Sequence, residues 1–125
     1  ENKEYFTQEM ENGSIQISED VVASVTGMAV LEAEGVCGLS STIGTDIAEM
    51  LGMKTLSKGV RLSSTESGAL RIDCDVVAKF GQNIFDLAKN VQENVKSSVE
   101  SVTGLTVGEV NVTVCGIALP KETKK

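Results

Sequence analysis

The chain has 125 residues, enough for a single domain with one modest hydrophobic core. Its formal net charge is −7 and its pI is near 4.6, so polyphosphate backbones and anionic lipids repel it. No apolar run approaches the ~20 residues of a membrane-spanning helix, and no signal-peptide core is present. These properties favour a soluble cytoplasmic protein and disfavour nucleic acid as its partner.

The cysteine pattern points to the same compartment. Cys37, Cys74 and Cys115 are odd in number and widely spaced, which fits neither a disulfide framework nor a zinc site. We expect all three to be small buried hydrophobic side chains. Only Tyr5 and three phenylalanines are aromatic, so the core must consist mainly of Val, Leu, Ile, Met and Ala.

The sequence predicts helices and strands from residue 13 onward, after a short N-terminal stretch. Residues 1–12 lack periodicity and are predicted to form a flexible tail. Residues 13–18, "GSIQIS", alternate two isoleucines with polar residues, which predicts a short strand. Ser18 is a suitable N-cap for a helix, and two acids follow it in the first turn. This helix is expected to run to about Glu34, and its apolar stripe is predicted to be Val21, Val25, Met28 and Ala29.

A glycine-rich stretch, "GVCGLSSTIGTD" (35–46), follows the first helix. A phosphate-binding loop instead follows a strand and opens a helix, with Lys and Ser/Thr after its last glycine. Here a threonine and an aspartate stand in those places. The RNA-clamping GXXG loop is an equally poor match, because "GVCG" carries no cation. We interpret Gly35 as a helix cap, and Gly38 and Gly44 as turn residues.

The next segment, "IGTDIAEMLGMKTLSKG" (43–59), predicts a short helix that begins after Thr45. A helix this short must bury its apolar side against something. One alternative is that it lies on its own domain. The other is that it anchors a partner or a second copy, since Met-rich patches with a charged rim are common at adaptable interfaces. The candidate docking residues are Ile47, Met50, Leu51, Met53, Lys54 and Lys58.

The second half of the chain has the clearest periodicity. Two alternating runs within residues 59–81 are joined by "ESG" and predict a hairpin. The inward side of its second strand is predicted to be Leu70, Ile72, Cys74, Val76, Ala78 and Phe80. An amphipathic helix follows, capped by Asn83 and ended by Gly104. Its apolar stripe is predicted to be Ile84, Leu87, Ala88, Val91, Val95, Val99 and Val102. A last strand faces Val110, Val112 and Val114 inward.

The order β-α-β-β-α-β predicts an α+β fold. We expect a two-layer sandwich with a mainly antiparallel sheet and both main helices on one face. Without the short first strand the order becomes α-β-β-α-β, the arrangement of small KH-like and ring-building modules. Residues 13–119 would form the single domain, and 120–125 a flexible C-terminal tail. The polar face of the sheet should be exposed or covered by a partner.

No catalytic, metal or cofactor site is predicted. The chain has no histidine, so a Ser-His or Cys-His pair is excluded. Asp73 and Asp75 share one strand face, and Glu109 belongs to the same wet face. Three carboxylates are enough to hold Ca²⁺ or Mg²⁺. We favour the simpler interpretation of a solvated face balanced by neighbouring Arg and Lys side chains.

Four blocks of sequence carry a resemblance to a known family. They are "GSIQISEDVVASVTGMAVLEAEGVCGLS", "EMLGMKTLSKGVRL", "VVAKFGQNI" and "VQENVKSSVESVTGLTVGEVNVTVCGI", and they span roughly residues 13–118. The chain resembles the alkaline shock protein family of bacterial envelope stress response proteins. The resemblance implies a cytoplasmic protein without known enzymatic activity or site residues. Some members lie beneath the membrane by binding a membrane-anchored relative, some self-associate, and others are linked to fatty-acid synthesis at acetyl-CoA carboxylase.

Two hypotheses for function follow. The first is a non-enzymatic interaction module, linked to envelope or alkaline stress, that docks on a membrane-anchored or metabolic partner. The alternative is a ligand- or RNA-binding KH-like domain that uses the glycine-rich loop. A pull-down analysed for protein and nucleic acid together separates them.

Overall fold

The computed structural model describes residues 5–39 and 59–119. In chain order the elements are β1 (Tyr5–Met10), β2 (Gly13–Ser18), α1 (Glu19–Glu32), β3 (Val36–Leu39), β4 (Val60–Ser64), β5 (Leu70–Lys79), α2 (Ile84–Thr103) and β6 (Val107–Ala118). The predicted α+β class, with mainly antiparallel sheets and two main helices, is confirmed. The order β-β-α-β-β-β-α-β contains β1 and β3 in addition to the predicted elements.

The N-terminal hairpin is the first difference from the sequence prediction. Tyr5–Met10 fall in the predicted tail but form β1, which pairs antiparallel with β2. Phe6 lies opposite Ile17 in this pairing, and both pack against the core. The Gln8 Nε2 atom donates to the Gly104 carbonyl at 3.1 Å. These tertiary contacts hold a strand that, with few apolar residues of its own, lacks a clear sequence signal.

Strand β5 is the centre of the main sheet. Strand β6 runs parallel to it along one edge, from Leu70 opposite Val107 to Lys79 opposite Ala118. Helix α2 provides the crossover that a parallel pair requires. Strands β3 and β4 both pair antiparallel with β5, at its C-terminal and N-terminal halves respectively. Because β6 occupies one edge, β3 and β4 must follow each other along the other.

The core lies between one face of this sheet and the two helices. Strand β5 buries alternate residues, Leu70, Ile72, Cys74, Val76 and Ala78. Helix α2 buries Leu87, Val91, Val95 and Val99 against them. The inward residues of β6, Val110, Val112 and Val114, are half-buried and pack against the same cluster. Periodicity therefore predicts most of this packing correctly.

Helix α1 buries only part of its predicted stripe: Ala29 is buried and Val25 packs against the core. Val21 and Met28 of the predicted stripe are exposed, whereas Val22, Thr26 and Val30 are fully buried. Apolar residues occur on nearly every side of this helix, so contact with the sheet and α2 decides its orientation. The buried Thr26 hydroxyl donates a hydrogen bond to the Val22 carbonyl at 2.9 Å, which meets its need for a partner in the core.

Helix ends follow the predicted chemistry, with one correction. Ser18 and Asn83 accept backbone N–H bonds as N-caps, and Gly104 ends α2 in the left-handed region. Helix α1, however, ends at Glu32 with Ala33 as its cap. Gly35 is the left-handed residue of the turn that follows, with φ of 88°.

Two predicted core residues lie outside the core because their elements end. Phe80 follows the last residue of β5 and is 60% exposed. Val102 lies in the last turn of α2, beyond the last buried position, and is 66% exposed.

Candidate functional site

The predicted docking residues, Ile47, Met50, Leu51, Met53, Lys54 and Lys58, lie outside the described residues. The structure does describe the residues on either side of this segment. Leu39 lies opposite Val76 and Val60 lies opposite Cys74, so residues 40–58 leave and rejoin the same edge of β5 two positions apart. The Gly59 carbonyl accepts from the Asp75 N–H at 3.1 Å at the point of return. The described residues on either side of the segment, Leu39 and Gly59, are therefore both fixed at the same edge of β5.

The glycine-rich stretch leads from a helix into a strand. Its residues Val36–Leu39 form β3, so the chain order is the reverse of a phosphate loop. Gly38 is part of this strand, next to a register shift, and is not the predicted turn residue. Gly35 is required by its positive φ of 88°, because the nearest obstacle to a Cβ is the movable end of the Gln82 side chain. Gly44 lies outside the described residues.

The open face of the sheet carries the charged residues that the sequence singles out. Arg61 donates two bonds to the Asp75 carboxylate, at 3.0 and 3.3 Å. The Asp75 carboxylate raises the pKa of the Arg61 guanidinium through these bonds and through its charge. Arg71 lies 3.1 Å from Glu109. These pairs are solvent-exposed, so each stabilises the fold by no more than about 1 kcal/mol.

The three carboxylates are engaged with protein groups. Asn111 Nδ2 lies 2.8 Å from Asp73 and 3.4 Å from Glu109, and so bridges the two acids. Within residues 5–39 and 59–119, no group of three His, Cys, Asp or Glu side chains is arranged to hold a metal ion. The face is suited to contacting a polar surface through alternating charges.

The cysteines divide into one buried and two exposed residues. Cys74 faces the core as predicted, and burial raises the pKa of its thiol to about 12. It is therefore protonated and unreactive at neutral pH. Cys37 and Cys115 are exposed, contrary to the prediction. Cys37 points away from the core between two inward residues of β3, and Cys115 lies where the register of β6 shifts.

A feature that the sequence prediction missed is a cleft beside β1. It has a volume of about 420 Å³ and lies between Tyr5–Gln8 and the ends of the main-sheet strands near Ser64, Leu70 and Leu105. Recognising it requires knowing that β1 is a strand. Phe6 and Gln8 alternate with exposed residues in the structure, but the sequence of this stretch lacks a periodicity that predicts it.

A second missed feature is the arrangement of side chains from α2 along β6. Gln92 Nε2 donates to the Val110 carbonyl at 2.9 Å, and Lys96 Nζ donates to the Val107 carbonyl at 3.1 Å. Glu100 accepts from Lys96 and from the Val107 N–H, and these bonds lower the pKa of its carboxyl. The i,i+4 spacing indicates a Lys96–Glu100 pair, but helix periodicity alone does not show that it reaches a strand.

Comparison with known proteins decides the family. A family model for alkaline shock protein 23, described as having a cell envelope-related function, matches residues 7–119. The chain belongs to the alkaline shock protein 23 family. The resemblance seen in the sequence is thereby confirmed. No solved structure matches the chain.

Relatives of this alkaline shock family protein occur in Streptococcus pyogenes and Bacillus subtilis. It is 37% identical over 113 residues to the uncharacterized protein Spy1614 of Streptococcus pyogenes, covering 89% of this chain and 93% of that one. It is 35% identical over 107 residues to the uncharacterized protein YloU of Bacillus subtilis, covering 84% and 88%. A third, the uncharacterized protein YqhY of Bacillus subtilis, is 30% identical over 105 residues, covering 84% and 77%. Among the described helices of this protein, none is long and apolar enough to cross a membrane.

Proposed function

We propose that this protein is a non-enzymatic interaction module of the cytoplasm that acts in envelope or alkaline stress by docking on a membrane-anchored or metabolic partner protein. Its family supports the link to the cell envelope. The partner would bring it close to the membrane.

The chemistry of the described residues supports binding over catalysis. The acidic groups of the open sheet face accept hydrogen bonds from Arg61, Arg71 and Asn111. Each of these acids is held by a neighbouring side chain on an exposed face, which is the arrangement of a polar surface and lacks the buried, convergent carboxylates of a catalytic or metal site. The one buried thiol is held protonated, which makes it a poor nucleophile.

The anchoring of the residues on either side of 40–58 is the observation that supports the proposal. Leu39 and Val60 are both fixed in the ladder of β5, the central strand of the main sheet. A rigid edge of this kind is a good base for a recognition segment, because the strands set where the segment begins and ends. Its sequence supplies the Met-rich and basic side chains, Met50, Leu51, Met53, Lys54 and Lys58, that suit an adaptable protein interface.

Affinity capture tests this function. The tagged full chain is incubated with a lysate of its own organism, and protein and RNA in the eluate are both identified. The control bait is the Leu51→Ser variant, which removes the central apolar side chain of the docking segment. A protein retained by the wild type and lost with Leu51→Ser supports the proposal. RNA or a nucleotide retained specifically, without such a protein, contradicts it and favours the ligand- or RNA-binding alternative.

A further inference from the structure

Strand β6 is paired along one edge only. It pairs with β5 over its length, and among the described residues no strand pairs with its other edge. An unpaired edge presents a row of backbone N–H and C=O groups that can hydrogen-bond to an added strand. The described residues that flank the docking segment, Leu39 and Gly59, lie at the opposite edge of β5. The free edge of β6 is therefore a separate surface.

Helix α2 closes the first half of this edge. The outward carbonyls of Val107 and Val110 accept hydrogen bonds from Lys96 and Gln92, at 3.1 and 2.9 Å. The Val107 N–H donates to Glu100. These side chains occupy the backbone groups that an incoming strand would need, so an added strand can pair with β6 only after Val110.

The second half of the edge is open. Backbone groups alternate along a strand, so those of Val112 and Val114 point away from β5, as those of the last closed residue do. Ile117 has the same orientation, because the next carbonyl along β6 faces β5 and accepts from the Phe80 N–H. Residues 112–119 contain no charged side chain and no proline, the residues that guard many strand edges.

Large apolar side chains are exposed around this open half. Phe85, Ile117 and Leu119 are 72%, 51% and 71% exposed. Ile117 lies opposite the buried Ala78 of β5, so it points to the side of the sheet that carries the helices. Exposed apolar side chains that gather in one region mark an interaction surface. An occupant of this edge should therefore bring apolar side chains to the helix side.

One face of α2 lies along the free edge of β6. The residues that share this face, at spacings of four, three and four, are Phe85, Lys89, Gln92 and Lys96. Seven residues of helix and three of strand both advance by roughly 10 Å. Since Gln92 meets Val110, this face brings Lys89 and then Phe85 level with the start of the open half.

Lys89 is the cation of this surface. Its ammonium lies 5.8 Å from the centre of the Phe85 ring. Lys96 on the same face is paired with Glu100, whereas Lys89 forms no ion pair within residues 5–39 and 59–119, not even with Glu93 four positions on. A carboxylate on an added strand can therefore pair with Lys89 without displacing another acid.

We propose that the edge of β6 from Val112 to Leu119 binds an extended segment of a different protein as an added strand, one with an acidic side chain two residues from an apolar one. The acid pairs with Lys89, and the apolar side chains cover Phe85 and Ile117. The spacing follows from the helix, because four residues of helix advance by about 6 Å and two residues of strand by nearly the same distance.

The other occupants lack one of these features. The same edge of a second copy, residues 112–119, offers no acid to Lys89. Residues 1–4 and 120–125 of the chain itself contain no apolar side chain except Pro120, so they cannot cover Phe85. A lipid surface or a nucleic acid has no row of alternating N–H and C=O groups to pair with β6.

This strand-binding site goes beyond the proposed function and does not depend on it. The two surfaces lie on opposite sides of β5, so one chain can hold a partner through residues 40–58 and a strand at β6. Leu51→Ser changes the first surface alone, and Phe85→Ser the second alone. The two proposals can therefore fail separately.

Nuclear magnetic resonance of the full chain tests the site with short threonine-rich probe peptides. The first probe carries one glutamate, with a valine two residues before it and another two residues after it, so it fits β6 in either direction. The second probe has lysine in place of the glutamate. The glutamate probe should bind saturably, and the outward amides of Val112 and Val114 should then exchange their hydrogens at least tenfold more slowly.

Variants test the side-chain contacts. Lys89→Glu should weaken the glutamate probe about tenfold and strengthen the lysine probe by a similar factor, because it reverses the charge beside the strand. Lys79→Glu is the matched control, an exposed lysine at the end of β5 that should change neither affinity. Phe85→Ser should weaken both probes at least fivefold. Met28→Ser, at an exposed position of α1, should weaken neither.

Three results overturn the inference: no saturable binding of the glutamate probe, binding that leaves exchange at Val112 and Val114 unchanged, and equal binding of both probes to the wild type and Lys89→Glu. Protection of the same two amides without any probe, lost on dilution, would assign the edge to a second copy and overturn it as well. A chain that binds the probe but captures no protein through Leu51 supports the β6 site and contradicts the docking function. The reverse result overturns the β6 site alone.

Discussion

Replacing Val95 by aspartate should unfold the domain at neutral pH. Val95 is fully buried in the middle of α2, within the cluster formed by the helices and β5. A carboxylate at a position with no exposed surface loses its hydration. The carboxyl group must therefore stay protonated in the folded state or break the packing of α2 on the sheet.

The size of the effect can be worked out from the site. Keeping an aspartate protonated at pH 7 costs about 4 kcal/mol, because its ordinary pKa is about 3.9 and each pH unit costs about 1.4 kcal/mol. Losing the buried valine adds about 1.5–3 kcal/mol. The total of about 6 kcal/mol is comparable to the whole unfolding free energy of an ordinary domain, which is about 5–15 kcal/mol.

Circular dichroism during thermal and urea unfolding measures this loss. Val102→Asp is the matched control, since it makes the same change in the same helix at a position that is 66% exposed. The control should lose about 1 kcal/mol or less, as a surface acid near a helix C-terminus. Lowering the pH to about 4 should return roughly 4 kcal/mol of the Val95→Asp deficit relative to wild type. A Val95→Asp melting temperature close to that of Val102→Asp would refute the assignment of α2 to the core.

Other predictions concern the thiols and the open sheet face. Burial raises the pKa of the Cys74 thiol from 9.0 to about 12, so its contribution to stability is complete below pH 9 and falls above it by about 1.4 kcal/mol per pH unit. Urea unfolding at pH 8 and pH 10.5 should show this loss of stability in the wild type and not in Cys74→Ala. The same loss in both proteins would contradict the burial of Cys74. A maleimide should label native Cys37 and Cys115 quickly and Cys74 only on unfolding; rapid labelling of Cys74 would rule out its inward orientation. Arg61→Ala should lower the unfolding free energy by no more than about 1 kcal/mol, because its pair with Asp75 is exposed; a larger loss in urea titration would show that the pair is structural.

The parts of the fold that the sequence predicts correctly are those with a single strong period. Strand β5 alternates from Leu70 to Ala78, and α2 repeats its valines at helical spacing from Val91 to Val99, so each has only one face that can be buried. Helix caps at Ser18 and Asn83 are local chemistry and also follow from sequence.

The parts that it misses depend on partners distant in the chain. Helix α1 has apolar residues all round, so its buried face is chosen by α2 and the sheet. Strand β1 is held by Phe6 against the core and by Gln8 on Gly104, contacts between residues almost a hundred positions apart. Strand β3 is a four-residue strand that needs β5 beside it.

The candidate surfaces, too, are predicted from the sequence only in part. The composition of residues 43–59 predicts a Met-rich docking segment, but the sequence does not show that the flanking residues Leu39 and Val60 both pair with β5. The open edge of β6 cannot be found from alternation, because alternation describes faces and not edges. The hydrogen bonds from Gln92 and Lys96 to the Val110 and Val107 carbonyls show which part of this edge helix α2 covers.

The most direct test of the docking function is the affinity of the captured partner for the full chain and its Leu51→Ser variant, measured by titration calorimetry. Met28→Ser is the control, since Met28 is an exposed methionine on α1 outside the docking segment. We expect Leu51→Ser to weaken binding at least tenfold with a melting temperature near that of wild type, and Met28→Ser to change neither. A Leu51→Ser variant that loses stability but binds with unchanged affinity when folded would assign the segment to the core and contradict the proposed function.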